Sequence, residues 1–340
     1  MKRLISLTLV LALLMSLALT ASASEVYKGK RVRIVIGSTS VAGDSYMVAE
    51  TVNRYLQKYL EFNSKVDAVG ANEAFAAIAD AKPDGMTIMI FHDMTYLGVL
   101  FGSYDEMYKL ENMEVGPRVG QNPGSAFAAR ADLPYNTLAE AAQFLADNPE
   151  EKVRISVESG GVSHIGFVAF YSWAKEKYGD DVVSRIKVVI GGSTDKKLQQ
   201  LWDGNSDIIF ADYSSLLQYT QEGVDAQLKV KFVGLMDYIP GMEDLPVMAD
   251  QGITLQGQPF IFSKDFLVYL PKGTPQEFID ALDEAVVKMA EDQDFIDEMS
   301  KLTYAPKVLK SAEAKDFIYA KRDSMKALIE GAPSFDDLIE

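Results

Sequence analysis

The segment Val32-Arg33-Ile34-Val35-Ile36, followed by Gly37-Ser38-Thr39-Ser40-Val41-Ala42-Gly43-Asp44-Ser45, constrains the fold more than any other. Consecutive β-branched and apolar residues predict a strand buried on both faces. The loop after it carries little side-chain bulk, and an amphipathic helical segment, Tyr46 to Leu60, follows. Asp44 or Ser45 is suited to cap that helix, because a short oxygen-bearing side chain accepts from a free N–H of the first turn. A strand, a donor-rich loop and a helix N-terminus in this order receive anions. The unpaired N–H groups and the positive end of the helix dipole point the same way. An ordinary βα turn looks the same in isolation, so the rest of the chain decides.

The pattern returns. Glu158-Ser159-Gly160-Gly161-Val162-Ser163-His164 separates a strand at Val153–Val157 from a helix at Ile165–Tyr178. Gly191-Gly192-Ser193-Thr194 separates Val188–Ile190 from a helix at Asp195–Gly204. Met86–Phe91 runs into His92-Asp93-Met94-Thr95, and Asp207–Ala211 ends at Asp212. This alternation predicts an α/β fold of parallel sheets with helices on both faces. Ligands of such sheets sit beyond the carboxyl ends of the strands. The candidate binding residues are therefore Ser38, Thr39, Ser40, Gly43, Asp44, Ser45, His92 and Thr95 in a first domain, with Ser159, Gly160, Ser163, His164, Gly192, Ser193, Thr194 and Asp212 in a second. If the domains face each other, these loops meet in one cleft. Residues 101–124 read as irregular, with Pro117, Gly120, Pro123 and Gly124. Ser125–Arg130 reads as a strand leaving the first domain and Val230–Met236 as one returning to it. Helices at Phe278–Glu291, Asp294–Leu302 and Ala312–Ile329 close the chain.

Lys2 and Arg3 precede an apolar run from Leu4 to Leu19 and the small-residue site Ala21-Ser22-Ala23. This reads as a secretory signal peptide cleaved near Ala23. Its removal takes the formal charge from −16 to −18, two cations fewer. So acidic a chain argues against nucleic acid or an anionic membrane as partner. The chain has no cysteine. That excludes a lipobox anchor, disulfides and thiolate metal sites, and an exported protein with none of these fits a bacterial periplasm. The two histidines, His92 and His164, lie far apart in sequence and give a metal site little support. No cofactor motif is present: the Gly-Gly loops lack both the Gly-Lys-Ser/Thr ending of a P-loop and the dinucleotide GxGxxG.

The order of short motifs resembles the extracytoplasmic solute-binding receptors of tripartite tricarboxylate transporters, the Bug family. The likeness runs from about Gly29 to Ile329. It is carried by Lys30–Ile36, Ala81-Lys82-Pro83-Asp84-Gly85-Met86-Thr87-Ile88, Ala131-Asp132-Leu133-Pro134-Tyr135-Asn136-Thr137-Leu138 and Ser163-His164-Ile165. Gly192-Ser193 through Trp202-Asp203-Gly204, Asp244-Leu245-Pro246 and Pro271-Lys272-Gly273-Thr274-Pro275 complete it. The resemblance implies a two-domain periplasmic-binding-protein (type II-like) fold, mixed sheets flanked by helices, with the cleft between lobes. With the signal peptide (1–23) and a tail (331–340) read from the residues themselves, the chain divides into a first domain (24–125 and 237–330) and a second domain (126–236). The resemblance implies capture of a small carboxylate by loop amides and hydroxyls, then delivery to membrane permease subunits. It adds Asn72 at a helix start and assigns Asp212 to the cleft wall.

One departure bears on the ligand. Where the family has Pro-Gly-Gly and then Asp, this chain reads Ser40-Val41-Ala42-Gly43-Asp44-Ser45-Tyr46. A carboxylate beside the anion loop disfavours a dianion unless Asp44 is only a cap, so a cationic, zwitterionic or neutral ligand stays open. The alternatives are a receptor for such a ligand, a receptor serving signalling, or an exported enzyme. The last needs an acid–base or metal constellation, and only the adjacent Ser163-His164 hints at one.

Overall fold

The computed structural model describes residues 23–329 except Ala42, together with Phe335, Leu338 and Ile339. The proposed signal peptide falls outside them, apart from Ala23. Two five-stranded sheets form two lobes. The first contains β1 (Arg31–Ile36), β2 (Asn63–Ala68), β3 (Thr87–Phe91), β4 (Met113–Asn122) and β12 (Lys264–Pro271), in the order β2-β1-β3-β12-β4. The second contains β5 (Ser125–Arg130), β6 (Val153–Val157), β7 (Ile186–Ile190), β8 (Ile208–Asp212) and β9 (Val230–Leu235), in the order β7-β6-β8-β5-β9. A two-stranded ribbon, β10 (Thr254–Leu255) with β11 (Gln258–Pro259), lies between β9 and β12 in sequence.

The two sheets share one plan. Three parallel strands carry the βα units, and two further strands complete each sheet at the side where the chain crosses between lobes. The parallel pairings are β1 with β2 and β3, and β6 with β7 and β8. β12 runs antiparallel to β3 and β4, and β5 antiparallel to β8. The sheets are therefore mixed and flanked by helices, as the resemblance implies: the parallel βα units are joined by strands that arrive from the other lobe and enter from the opposite end.

The βα junctions place the helices. α1 (Asp44–Leu60) and α2 (Ala71–Asp80) belong to the first lobe, as does the short α3 (Met94–Leu100). α4 (Leu138–Asp147), α5 (Val162–Tyr178), α6 (Asp180–Val183), α7 (Thr194–Trp202) and α8 (Tyr213–Leu216) belong to the second. α9 (Gln276–Glu291), α10 (Gln293–Lys301) and α11 (Ser311–Ile329) return to the first lobe. Alternate residues of β1 serve opposite faces. Ile34 and Ile36 pack with Val48, Val52 and Leu56 of α1 and Leu282 of α9. Val35 packs on the other side with Phe75 and Ile78 of α2. Burying each such side chain stabilises by about 1.5–3 kcal/mol, so both faces must be covered.

Four local expectations are revised. Gly43, not Asp44 or Ser45, is the residue before α1, and Asp44 opens the helix with its side chain engaged elsewhere. Residues 113–122 form a strand despite Pro117, because the pairing with β12 slips on both sides of Leu267, opposite Arg118. A bulge is where a residue without an N–H fits a sheet. Val230–Leu235 does not return to the first sheet; it pairs with β5 at the edge of the second, and the return is made at Lys264. The described residues of the last ten are not a free tail. Phe335 and Leu338 are buried, and Val188 N–H donates to the Leu338 carbonyl at 3.0 Å on the β7 edge.

Among the described residues no helix is long and apolar enough to cross a membrane, and no three His, Asp or Glu side chains are grouped to hold a metal ion.

Candidate functional site

The carboxyl ends of β1, β3, β6 and β8 face one another across a cavity of about 550 Å³. The first lobe supplies Ser38, Thr39, Ser40, Gly43, Asp44, Ser45, Asn72 and His92. The second supplies Ser163, Gly192, Ser193, Thr194 and Asp212. Thirteen of the residues singled out in the sequence thus meet there. The N-termini of four helices reach the same space: α1 and α2 from the first lobe, α5 and α7 from the second. Glycines precede three of them (Gly43, Gly70 and Gly161), with no side-chain cap on any of the three. First-turn N–H groups are thus left for a ligand, where the dipoles of both lobes add.

Four expected residues lie elsewhere. Thr95 is fully buried, its Oγ1 2.9 Å from the Tyr269 hydroxyl, because α3 starts at Met94 and turns it into the core. Ser159, Gly160 and His164 form the contact between lobes behind the cavity. Ser159 Oγ is 3.2 Å from Ser103 Oγ of the first lobe. Gly160 adopts φ +74°, and a Cβ there would lie 2.5 Å from Ser103 Oγ, so only glycine lets the lobes approach this closely. The His164 ring is stacked between Phe101, 3.6 Å between centroids, and Phe335, 3.5 Å. Its Nδ1 accepts from Gly160 N–H at 3.2 Å, and burial holds its pKa down at about 3. Ser163 Oγ instead accepts from Glu158 N–H at 2.8 Å. The two residues are adjacent in sequence but form no nucleophile–base pair, since neighbours on a helix point about 100° apart.

The cavity floor holds a cation that the sequence reading missed. Lys264, the first residue of β12, is 3% exposed, and its Nζ lies 3.1 Å from Asp44 and 2.8 Å from Asp212. Asn122, the last residue of β4, donates from Nδ2 to Asp212 at 2.7 Å, and the Tyr304 hydroxyl donates to Asp44. Asp44 belongs to the first lobe, Asp212 to the second, and Lys264 to the crossing segment. The cluster therefore joins the lobes at their hinge. Asp44 is neither a cap nor a bare anion. Its charge is offset in part by Lys264, which it shares with Asp212. Within the cavity, His92 accepts from Met94 N–H through Nδ1 at 3.3 Å. Burial, reinforced by Lys264, depresses its pKa well below the ordinary value, so it stays neutral with its proton on Nε2.

The two carboxylates titrate as a pair. Burial, then the charge of Asp44, pushes Asp212 up to about 7. Asp44 stays below the ordinary range: burial opposes this, but Lys264 and hydrogen bonds with Asp212 and Tyr304 outweigh it. A carboxyl with a raised folded-state pKa contributes stability fully below its unfolded value and loses it as pH rises to the folded one. The wild type is therefore expected to lose thermal stability relative to Asp212→Asn as pH rises from about 5 to about 8. Melting curves at several pH values test this. Parallel pH profiles would show that no proton is shared.

The profile of the "Tripartite tricarboxylate transporter family receptor" family matches residues 47–332. A search of curated proteins gave no match. Among solved structures, the periplasmic binding protein BugD is 20% identical with a TM-score of 0.72, covering 91% of this chain and 99% of its own. MatC from Rhodopseudomonas palustris, solved with bound malate, is 19% identical with a TM-score of 0.70, covering 88% and 99%. An R. palustris protein solved with adipate is 17% identical with a TM-score of 0.74, covering 88% and 96%. At these identities the structures establish the two-lobed binding-protein fold, and the profile, spanning most of the sequence, establishes that this chain belongs to the tripartite tricarboxylate transporter receptor family.

Proposed function

We propose that the protein is an exported, periplasmic receptor that captures a small organic carboxylate between its lobes and delivers it to the permease subunits of a tripartite transporter. The observation that carries this reading is the convergence of four helix N-termini, two from each lobe, on one cavity. Hydroxyls of Ser38, Thr39, Ser40 and Ser193 stand beside them. Donors from both lobes are satisfied together only when the lobes close on an anion, which couples binding to closure. The malate and adipate of the two R. palustris proteins are ligands of the same chemical kind. No chemistry on the ligand is needed, so the protein acts as a receptor and not as an enzyme.

A thermal-shift screen of the chain without residues 1–23 tests the proposal, using di- and tricarboxylates, aromatic acids, amino acids and neutral metabolites. A carboxylate at 100 times its dissociation constant is expected to stabilise by about 2.7 kcal/mol. Shifts with cations or neutral compounds, and none with carboxylates, would overturn it.

A further inference from the structure

Lys197 breaks three local rules at once. It lies in the first turns of α7, where the helix dipole disfavours a cation. It is 5% exposed, whereas its neighbour Lys196 points to solvent. Its ammonium also has no hydrogen-bond or ion-pair partner among the described residues. What the ammonium does meet is the ring of Phe210, with 5.5 Å to its centroid, and both residues line the cavity. The chain makes room for the Lys197 stem at Gly191, where a Cβ would lie 2.3 Å from Lys197 Cγ.

The other cavity lysine, Lys264, is held by Asp44 and Asp212. Glu158, Asp212, Asp44 and Lys264 are the charged groups that act on Lys197. None of the carboxylates is within ion-pair distance of it. Burying a lone ammonium is costly unless a counter-charge arrives.

We propose that Lys197 is the counter-ion of the bound ligand, seating one carboxylate of an organic acid against the α7 N-terminus in the second lobe. The proposal rests on the carboxylate-receptor reading and names the residue that makes a carboxylate obligatory. The remainder of the ligand then extends toward the loop hydroxyls and amides of the first lobe. One carboxylate is sufficient, since Lys197 is the one cavity lysine without an ion-pair partner among the described residues.

The test compares wild type with Lys197→Met and Lys197→Gln. Melting is followed without ligand, and titrations use the carboxylate giving the largest thermal shift together with its neutral amide. Removing an unpaired buried charge is expected to leave the unliganded melting temperature unchanged or raised, whereas a lysine with a structural role would lower it. Affinity for the carboxylate should fall at least about tenfold, and discrimination against the amide should shrink by the same factor. Gly191→Ala, which displaces the lysine stem while keeping its charge, should also weaken binding. Equal affinity of wild type and both Lys197 variants for a carboxylate would overturn the assignment while leaving the receptor reading intact. Failure of every carboxylate to bind the wild type would overturn both.

Discussion

Replacing Lys264 with methionine is expected to destabilise the protein by about 3–5 kcal/mol, the range seen when one partner of a buried ion pair is removed. The cost comes less from the lost contacts than from what stays behind. Asp44 and Asp212 are 8% and 6% exposed, and without Lys264 their remaining donors are Asn122 and Tyr304. Protonation offers an escape, since Asp212 already sits near 7 through burial and the charge of Asp44. The loss should therefore be greater at pH about 8 than at about 5, where a second proton relieves the repulsion. Urea unfolding at both pH values measures it. Adding Asp44→Asn and Asp212→Asn to the variant should recover most of the loss, because neutral amides need no counter-ion. A loss below about 1 kcal/mol would mean that water reaches the cluster and that it behaves as a surface pair.

A second substitution of similar size is Lys321→Met. The Lys321 Nζ lies 2.5 Å from Asp93, 2.6 Å from Asp265 and 2.7 Å from the Ser263 carbonyl. Both carboxylates are buried, so a loss of about 3–5 kcal/mol is again expected. Here the escape is partial. Asp265 keeps Arg118 at 2.9 Å, and Asp93 keeps the Tyr96 hydroxyl at 2.8 Å and the Asp265 N–H at 2.6 Å. Burial already raises the Asp93 carboxyl. Losing the cation would raise it further, so the penalty should again shrink in acid. The control is Arg54→Met at the Arg54–Glu298 pair, whose side chains are 53% and 36% exposed. Solvent screening limits that pair to about 1 kcal/mol or less. Chemical denaturation of the two variants side by side separates them; equal, small losses would sink the buried-network account.

What could be read from the sequence was set by periodicity. The junctions after β1, β6 and β7 show a change from apolar run to Gly/Ser loop to helix, and the structure brings all three to the cavity. The misses have physical causes. α5 begins at Val162, two residues before His164, so the helix turns His164 into the contact between lobes while Ser163 remains at the cavity. Lys264 opens a strand after a long stretch with little regular structure, and a lone lysine there carries no sign of burial. Lys197 did carry one. It shares the helical stripe of Leu198 and Leu201, both buried, so a charge stood where spacing required an apolar residue. Only the missing side chain at Gly191 makes that position habitable for lysine.

The order in which the polypeptide is made meets the sheet plan in one place. Residues 125–235 supply every strand of the second sheet, so that half can assemble from neighbouring segments as soon as they emerge. The first sheet cannot. Its fourth strand, β12, sits between β3 and β4, and its Asp265 meets Gln121, 144 positions earlier in the chain. Closing so long a loop adds little equilibrium cost, because that cost grows only as the logarithm of length, but it slows the search. A nascent chain stopped before Lys264 would expose the adjoining edges of β3 and β4, a template for mispairing that the finished protein does not present.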